Sequence, residues 1–388
     1  MWLLILGLFL FFMLVVLHEY GHFLVAKRNG VEVEEFGVGF PPKLFGKTLG
    51  KGIFKSYYTV NLLPLGGFVR LKGENDAAKE KGSLGAASTS AKLRIMLAGV
   101  VVNFVAALIF FTVVAWVGMP QIVPNQFTVA SDSKVIRQDV FAAKVSAGSP
   151  ADQAGIKAGS VIVSINNTPI TSGQSLTEAT KTNAGQTVPV NYVQDGQQQT
   201  SQVTLLSQQE VQQSINTGSP KGYLGIVPRD YTLLQSTWSA PVVAVGVSAQ
   251  FTVLTLKALA NALISLAKAF VNLITFNANN AKKDAAKASE NVAGPVGIFA
   301  ILQQNVKLGY QFILFIVGIL SLTLAIMNFL PIPALDGGRA FVMMLYKVRK
   351  KPLSAQTEER IHGTGFAILM LLFAVILIVD INRFIINA

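Results

Sequence analysis

Long apolar runs dominate the pattern of hydrophobic and polar positions. A helix that crosses a bilayer needs about 20 mostly apolar residues, and four stretches qualify. Met1–Leu17 is apolar throughout, and its pattern extends to about Ala26. Ile95–Gly118 carries one strongly polar residue, Asn103; Tyr310–Phe329 runs into a proline-rich segment; Gly363–Val379 completes the set. The first run lacks the basic start and small-residue cleavage site of a signal peptide and leads straight into His18-Glu19, so it is expected to stay as a span. A fifth stretch, Ala244–Phe276, differs in kind. Its main polar residues, Gln250, Lys257, Asn261, Ser265, Lys268 and Asn272, recur at helical spacing on one face. Such a helix prefers to lie in the interface rather than to cross.

Basic residues orient these spans. Residues 27–94 hold 12 Lys/Arg and residues 339–360 hold 6, whereas the 193 residues from Met119 to Gln311 hold 13. The positive-inside rule puts the two dense loops in the cytoplasm and the long segment outside. It also accounts for the net charge of +12 without nucleic acid, for which no interleaved aromatic and basic patches are present. Only 13% of residues are charged against 51% hydrophobic, too few charges for an ordinary soluble enzyme.

The outer segment turns rich in Gln, Ser, Thr, Asn and Val after Pro120. From Ala142 to Ile170 local signals give a strand, a turn at Gly148-Ser149-Pro150, a short helix through Ala154, and a strand Val161–Ile165 ending at Asn166-Asn167. Alternating stretches follow at Val188–Val193 and Gln202–Leu206. This segment resembles a bacterial PDZ domain in its circularly permuted form, with Ser160 where Asp is commoner. In the cytoplasmic loop, Tyr57–Leu71 has apolar runs on either side of Pro64 and Gly66-Gly67, which predicts a hairpin. It is too apolar for an exposed loop, and non-helical backbone at membrane depth needs shelter from protein or a wet cavity. The expected fold is a polytopic α-helical membrane protein with four transmembrane helices, a re-entrant β-hairpin (57–71) and an inserted extracytoplasmic PDZ-like α+β domain. The expected boundaries are spans at 1–26, 95–118, 310–338 and 363–384, a cytoplasmic loop at 27–94, the PDZ-like domain at 127–206, a linker at 207–243 and an interfacial helix at 244–276.

The chain has no cysteine, so any metal is held by nitrogen and oxygen. Two of its three histidines stand in His18-Glu19-Tyr20-Gly21-His22 at the inner end of the first span. Imidazoles at i and i+4 share a helix face and can reach one ion, and Glu19 can point at water beside it. Ionisable groups near a bilayer are costly and functional by default. A catalytic zinc takes a third protein ligand. Asp336 is one candidate: it follows Asn328-Phe329-Leu330-Pro331-Ile332-Pro333, where two prolines end the third span and Gly337-Gly338 allows a tight turn. Counting spans puts Asp336 on the same face as His22 only if Ala244–Phe276 does not cross. His362 is the rival.

Together, HEYGH in the first span, NFLPIPALDGG in the third and the inserted PDZ-like segment resemble the site-2 protease family of intramembrane zinc metalloproteases, in its bacterial envelope-stress and signal-peptide-processing branch with a single PDZ domain. Gly37-Val38-Gly39-Phe40-Pro41, Ala98-Gly99 with Asn103-Phe104, and Gly294-Pro295-Val296-Gly297-Ile298 extend the likeness. The resemblance implies that His18, His22 and Asp336 bind zinc and that Glu19 is the catalytic base. It also implies that Asn328 lines the site, with Asn103, Pro331 and Pro333 beside it, and that the element carrying Gly66 and Gly67 clamps substrate. Substrates would be single-pass membrane proteins such as anti-sigma factors, or remnant signal peptides, after cutting by an upstream site-1-type protease. The setting would be a bacterial cytoplasmic membrane, with the active site near the cytoplasmic face. A PDZ-bearing membrane chaperone or scaffold without catalysis, and a zinc transporter, are the competing readings.

Overall fold

A computed structural model describes residues 2–74, 77–275, 277–290 and 294–383. The chain forms two compact units, Met1–Val114 with Pro241–Ala388, and Ala115–Ala240. In chain order the first unit opens with helix α1 (Trp2–Arg28), strands β1 (Val33–Leu49) and β2 (Ser56–Leu71), and helices α2 (Thr89–Met96) and α3 (Ala98–Val117). The second unit comprises β3 (Met119–Pro120), β4 (Lys134–Val145), α4 (Pro150–Gln153), β5 (Val161–Ile165), β6 (Thr168–Pro169), α5 (Gly173–Thr182), β7 (Thr187–Gln194), β8 (Gln197–Thr204), α6 (Gln208–Asn216) and β9 (Ile226–Gln235). The first unit resumes with α7 (Ala240–Ile274), α8 (Ala278–Glu290), α9 (Pro295–Gln304), α10 (Tyr310–Phe329), α11 (Asp336–Val348) and α12 (Ala355–Ile381).

Among the described residues five helices, α1, α3, α7, α10 and α12, are long and apolar enough to cross a membrane. α1 ends where basic Lys27 and Arg28 meet the negative end of the helix dipole. Gly30, at φ 75°, then lets the Val31 amide donate back to the Ala26 carbonyl and closes the terminus. α3 runs antiparallel to α10: Phe111 packs against Phe315, ring centroids 5.5 Å apart, near one end, and Ser321 Oγ donates to the Asn103 carbonyl nearer the other. Gly7 of α1 abuts Ile313 of α10 and Leu302 of α9, so α1 and α10 run together from that end. Phe251 of α7 joins Phe111 and Phe315, with ring centroids 5.7–6.5 Å apart. α12 begins eight residues before the expected start of the fourth span, because Ser354 caps it by accepting from the Thr357 amide. Residue 384, in that expected span, and Phe276, in the expected interfacial helix, lie outside the described residues.

The hairpin expected within Tyr57–Leu71 does not form by itself. β2 pairs with β1, a strand not anticipated, and Glu35–Val38 has neighbours on both sides, Tyr57–Val60 on one and Gly67–Arg70 on the other. The two halves of the apolar run therefore flank β1 instead of pairing with each other. Gly37 and Gly39 explain the insertion: a Cβ at Gly37 would occupy the space of the Phe68 ring, and Gly39 sits at φ 82° against the Leu63 carbonyl. Asn61, buried, donates to the Gly39 carbonyl at 3.1 Å and fixes the turn.

In the second unit the sheet order is β3-β9-β4-β5-β7-β8, antiparallel throughout, with β6 on β5. Val140, Ile162, Ile165, Val188, Val190, Tyr192 and Leu205 build its core under α5 and α4. Asn166 and Asn167 take left-handed φ values of 47° and 62° between β5 and β6, the conformation that a two-residue hairpin turn requires. The expected linker 207–243 is not a linker. It contains α6, capped by a Ser207–Glu210 box, and β9, which pairs with β4 along its length. The alternation in Ile226–Gln235 is broken by Pro228, Arg229 and Asp230, which hid the strand.

Asp132 fastens the end of this unit. Its carboxylate accepts from the Ser239 hydroxyl at 2.6 Å, the Thr237 hydroxyl, and the amides of Thr237 and Ser239 at 2.8 and 3.0 Å. The Ser239 hydroxyl first, then that of Thr237, hold this acid well below the usual carboxylate range. A group depressed in the folded state stabilises above its unfolded pKa, about 3.9, and loses that contribution as pH falls through the folded value. Thermal melts below pH 4 are expected to show wild type losing stability faster than Asp132→Asn; parallel pH slopes would contradict this.

Candidate metal centre

α1 carries His18 and His22 one turn apart, both buried, with half-buried Glu19 between them. Close approach of α3 shapes the pocket. A Cβ on Gly21 would lie 2.8 Å from Val102 and 3.0 Å from the Ala98 carbonyl, and one on Gly99 would lie 2.5–2.6 Å from the His18 ring. Glycine at both positions lets the imidazole lie flat against α3. Asp336 arrives on the first turn of α11, where the positive end of the helix dipole favours a carboxylate. Gly337 and Gly338 press on the carbonyls of Phe329 and Ile332, so no side chain fits where the chain folds back.

Three ligand atoms converge. Nε2 of His18 lies 3.1 Å and Nε2 of His22 3.2 Å from Oδ2 of Asp336, and the two Nε2 atoms are 3.2 Å apart. Among the described residues this is the one cluster of histidine and acid side chains that could hold a metal ion. Donors bound tetrahedrally at about 2.0–2.1 Å stand about 3.3 Å apart. The observed triangle matches three vertices of such a tetrahedron and leaves the fourth open. His362 stays outside it, its Nδ1 accepting from the Ala334 amide at 3.2 Å.

Outer contacts turn both rings inward. His22 Nδ1 donates to the Ile95 carbonyl at 2.7 Å. His18 Nδ1 faces the side-chain amide of Asn103 at 3.2 Å, in a fully buried position. A ring that offers its Nε2 lone pair to a cation carries its proton on Nδ1, so the group it needs opposite is the amide oxygen. Placing the amide nitrogen there leaves Oδ1 buried with no partner, and the two orientations fit the same outline.

Glu19, His22 and Asp336 line a cavity of about 190 Å³, closed by Phe68, Val69, Leu71, Leu84, Ile95 and Met96. The Glu19 carboxylate faces the Val69 backbone. Of the other residues singled out from sequence, Gly67 lies 3.6 Å from Glu19 Cγ (measured from a Cβ placed on it), while Gly66, at φ 97°, faces Val15 and Phe40. Pro333 lines a neighbouring cavity with Ile332 and Gly365; Asn328 and exposed Pro331 are not among the residues lining the metal cavity. Phe68, Val69 and Leu71 were missed, although alternation along β2 puts Val69 and Leu71 on one face. The Ile95 carbonyl leaves no sequence signal at all.

The sequence pattern of peptidase family M50 matches residues 6–372. The chain belongs to peptidase family M50. It is 31% identical to a Clostridium perfringens protein provisionally named a zinc metalloprotease, over 97% of this chain and 98% of that relative. Zinc metalloproteases RasP of Shouchella clausii and Oceanobacillus iheyensis are 26% and 25% identical, each across 96% of this chain and 97% of the relative. The M50 peptidase is thus an intramembrane zinc metalloprotease, and its two imidazoles and one carboxylate suit that metal.

Asn103→Leu is expected to weaken zinc binding by about 10- to 100-fold. Asn103→Asp, whose oxygens still accept from His18, is expected to retain most of it. Competition titration with a zinc chelator measures both, and a reversed order would show that the amide nitrogen faces the ring.

Proposed function

We propose that this peptidase cleaves within membrane-spanning segments, with His18, His22 and Asp336 holding the zinc and Glu19 acting as general base. The observation that carries the reading is the Nε2–Nε2–Oδ2 triangle with Glu19 beside it, in a cavity walled by a β-strand. Zinc, when bound, polarises a carbonyl and lowers the pKa of water towards about 7. Glu19 takes a proton from the attacking water and delivers it to the departing nitrogen, so that one water and one peptide bond become a carboxylic acid and an amine. A helical substrate shields its carbonyls and must be held extended. Gly67–Leu71 pairs with β1 on one side, and its other edge, next to Glu19, is suited to adding a substrate strand.

The same reading makes β1 and β2 a re-entrant element. Phe40, Leu44, Phe45, Leu49, Val60, Leu62 and Leu63 are all exposed there, an apolar surface that lipid would cover. It also retains four spans, α1, α3, α10 and α12, with α7 in the interface. α3 ends and α10 begins at the bundle end remote from Asp336, and α9 packs near that end against Gly7. Among the described residues α8 is the one helix between α7 and α9 that could return the chain. At 13 residues it is about 20 Å long, short of the 30 Å hydrocarbon core, and it carries Lys282, Lys283 and Lys287 on exposed positions. The second unit is read as an extracytoplasmic PDZ-like domain with β9 and α5 bordering its groove. Substrates in this reading are single-pass membrane proteins or remnant signal peptides trimmed by an upstream protease, in a bacterial cytoplasmic membrane with the zinc near the cytoplasmic face.

Glu19→Gln is expected to slow cleavage of a transmembrane reporter peptide by about 10²- to 10⁴-fold while zinc content stays near wild type. Equal cleavage by both proteins would remove the catalytic assignment. Asp336→Ala is expected to lose zinc and His362→Ala to keep it; metal analysis showing the opposite would move the third ligand to His362.

A further inference from the structure

The metal cavity has a neighbour. A second cavity of about 530 Å³ is lined by Ala334, Glu358, Glu359, His362, Gly363 and Phe366. Two residues, Glu74 and Arg339, line both cavities. Arg339 stands one turn after Asp336 on α11, and its Nη2 donates to the Glu74 carbonyl at 3.2 Å and lies 3.6 Å from Glu74 Oε2. Glu74 Oε1 in turn accepts from the Leu71 amide at 2.9 Å, at the end of β2. The pair therefore straps the helix that brings Asp336 to the strand that walls the metal cavity, and it stands where the two cavities meet.

Both cavities carry polar side chains, Glu19, His22 and Asp336 in the metal cavity and Glu358, Glu359 and His362 in its neighbour, so the Arg339–Glu74 pair stands between one polar lining and another. Each hydrolysed bond consumes one water, which needs a polar way in. Arg339 and Glu74 keep 29% and 39% side-chain exposure, and pairs this exposed are weak. Such a contact can part without unfolding anything around it.

We propose that the Arg339–Glu74 contact is a gate, and that water enters the metal cavity through it from the vestibule lined by Glu358, Glu359 and His362. The functional significance rests on the zinc-site reading above, but the passage itself can be tested without zinc. The chain has no cysteine, so Val69→Cys and, separately, Leu71→Cys each place a single thiol on the metal cavity. Labelling of the full chain by a small cationic methanethiosulfonate reports the open fraction. Arg339→Met is expected to speed labelling about three- to fivefold, the scale of losing one exposed ion pair. Gly363→Trp adds bulk to the vestibule at a position where a Cβ meets nothing within 4 Å. It is expected to slow labelling and to cancel the Arg339→Met effect when the two are combined. Equal labelling of Arg339→Met and wild type, or fast labelling that survives Gly363→Trp in the double variant, would overturn the gate. Zinc loss to a chelator is expected to follow the same order. Labelling that follows it while zinc loss does not would overturn the zinc-site reading and leave the gate standing.

Discussion

Three donor atoms from places 318 residues apart in sequence must meet within 3.2 Å inside an apolar bundle, and most of the first unit answers to that constraint. It fixes the direction of every helix that touches the site: α1 and α10 run together, α3 runs against them, and the chain between α3 and α10 starts and finishes at the end remote from Asp336. It also explains where glycine is obligatory. Gly21 and Gly99 bring α3 against the His18 ring, and Gly337 and Gly338 let α11 start on top of the loop that ends α10. A methyl group at Gly99 would displace the His18 ring, and one at Gly21, Gly337 or Gly338 would press on backbone, at the place where displacement is least tolerable.

Polar groups in this setting are costly, and the structure spends few of them. Asn103 serves twice. Its main-chain carbonyl accepts from Ser321 and joins α3 to α10, while its side-chain amide faces His18 and joins α3 to α1. One buried residue thus couples the packing of three helices to the orientation of one ring. The Ile95 carbonyl, near the end of α2, does the corresponding work for His22 without spending a side chain.

Much of this arrangement was legible in the sequence, for identifiable reasons. His18 and His22 announce themselves by helical spacing at the end of an apolar run, and the two prolines and two glycines around Asp336 mark a structured reversal. β5 and the Asn166-Asn167 turn were legible because strand alternation and turn chemistry agree there. β1 was not, because Gly37, Gly39, Pro41 and Pro42 read as a loop, whereas the glycines are what admit Phe68 and the tight approach of Leu63. β9 was hidden by Pro228 and the charges that follow it, and its pairing with β4 is a long-range event that no local pattern encodes. Arg339 and Glu74 carry no motif, and only the fold brings them together.

The missed strand matters most for how chemistry and substrate holding relate. Phe23 lies on α1 one turn beyond Glu19, Phe36 lies on β1 and Tyr58 on β2; their ring centroids are 5.6–6.0 Å apart in all three pairings. This aromatic knot fastens the β element to the helix that carries the histidines and Glu19. Had the apolar run formed a hairpin by itself, only Tyr58 of the knot would have reached Phe23; Phe36 of β1 closes the triangle. Misplacement by about 1 Å can cost a reaction about 100-fold. A strand that positions a peptide bond against Glu19 must therefore move with α1 as one body. β2 reaches α1 through Tyr58 and the Val69 backbone, and β1, inserted between the halves of β2, adds Phe36 to that contact and so contributes to the rigidity.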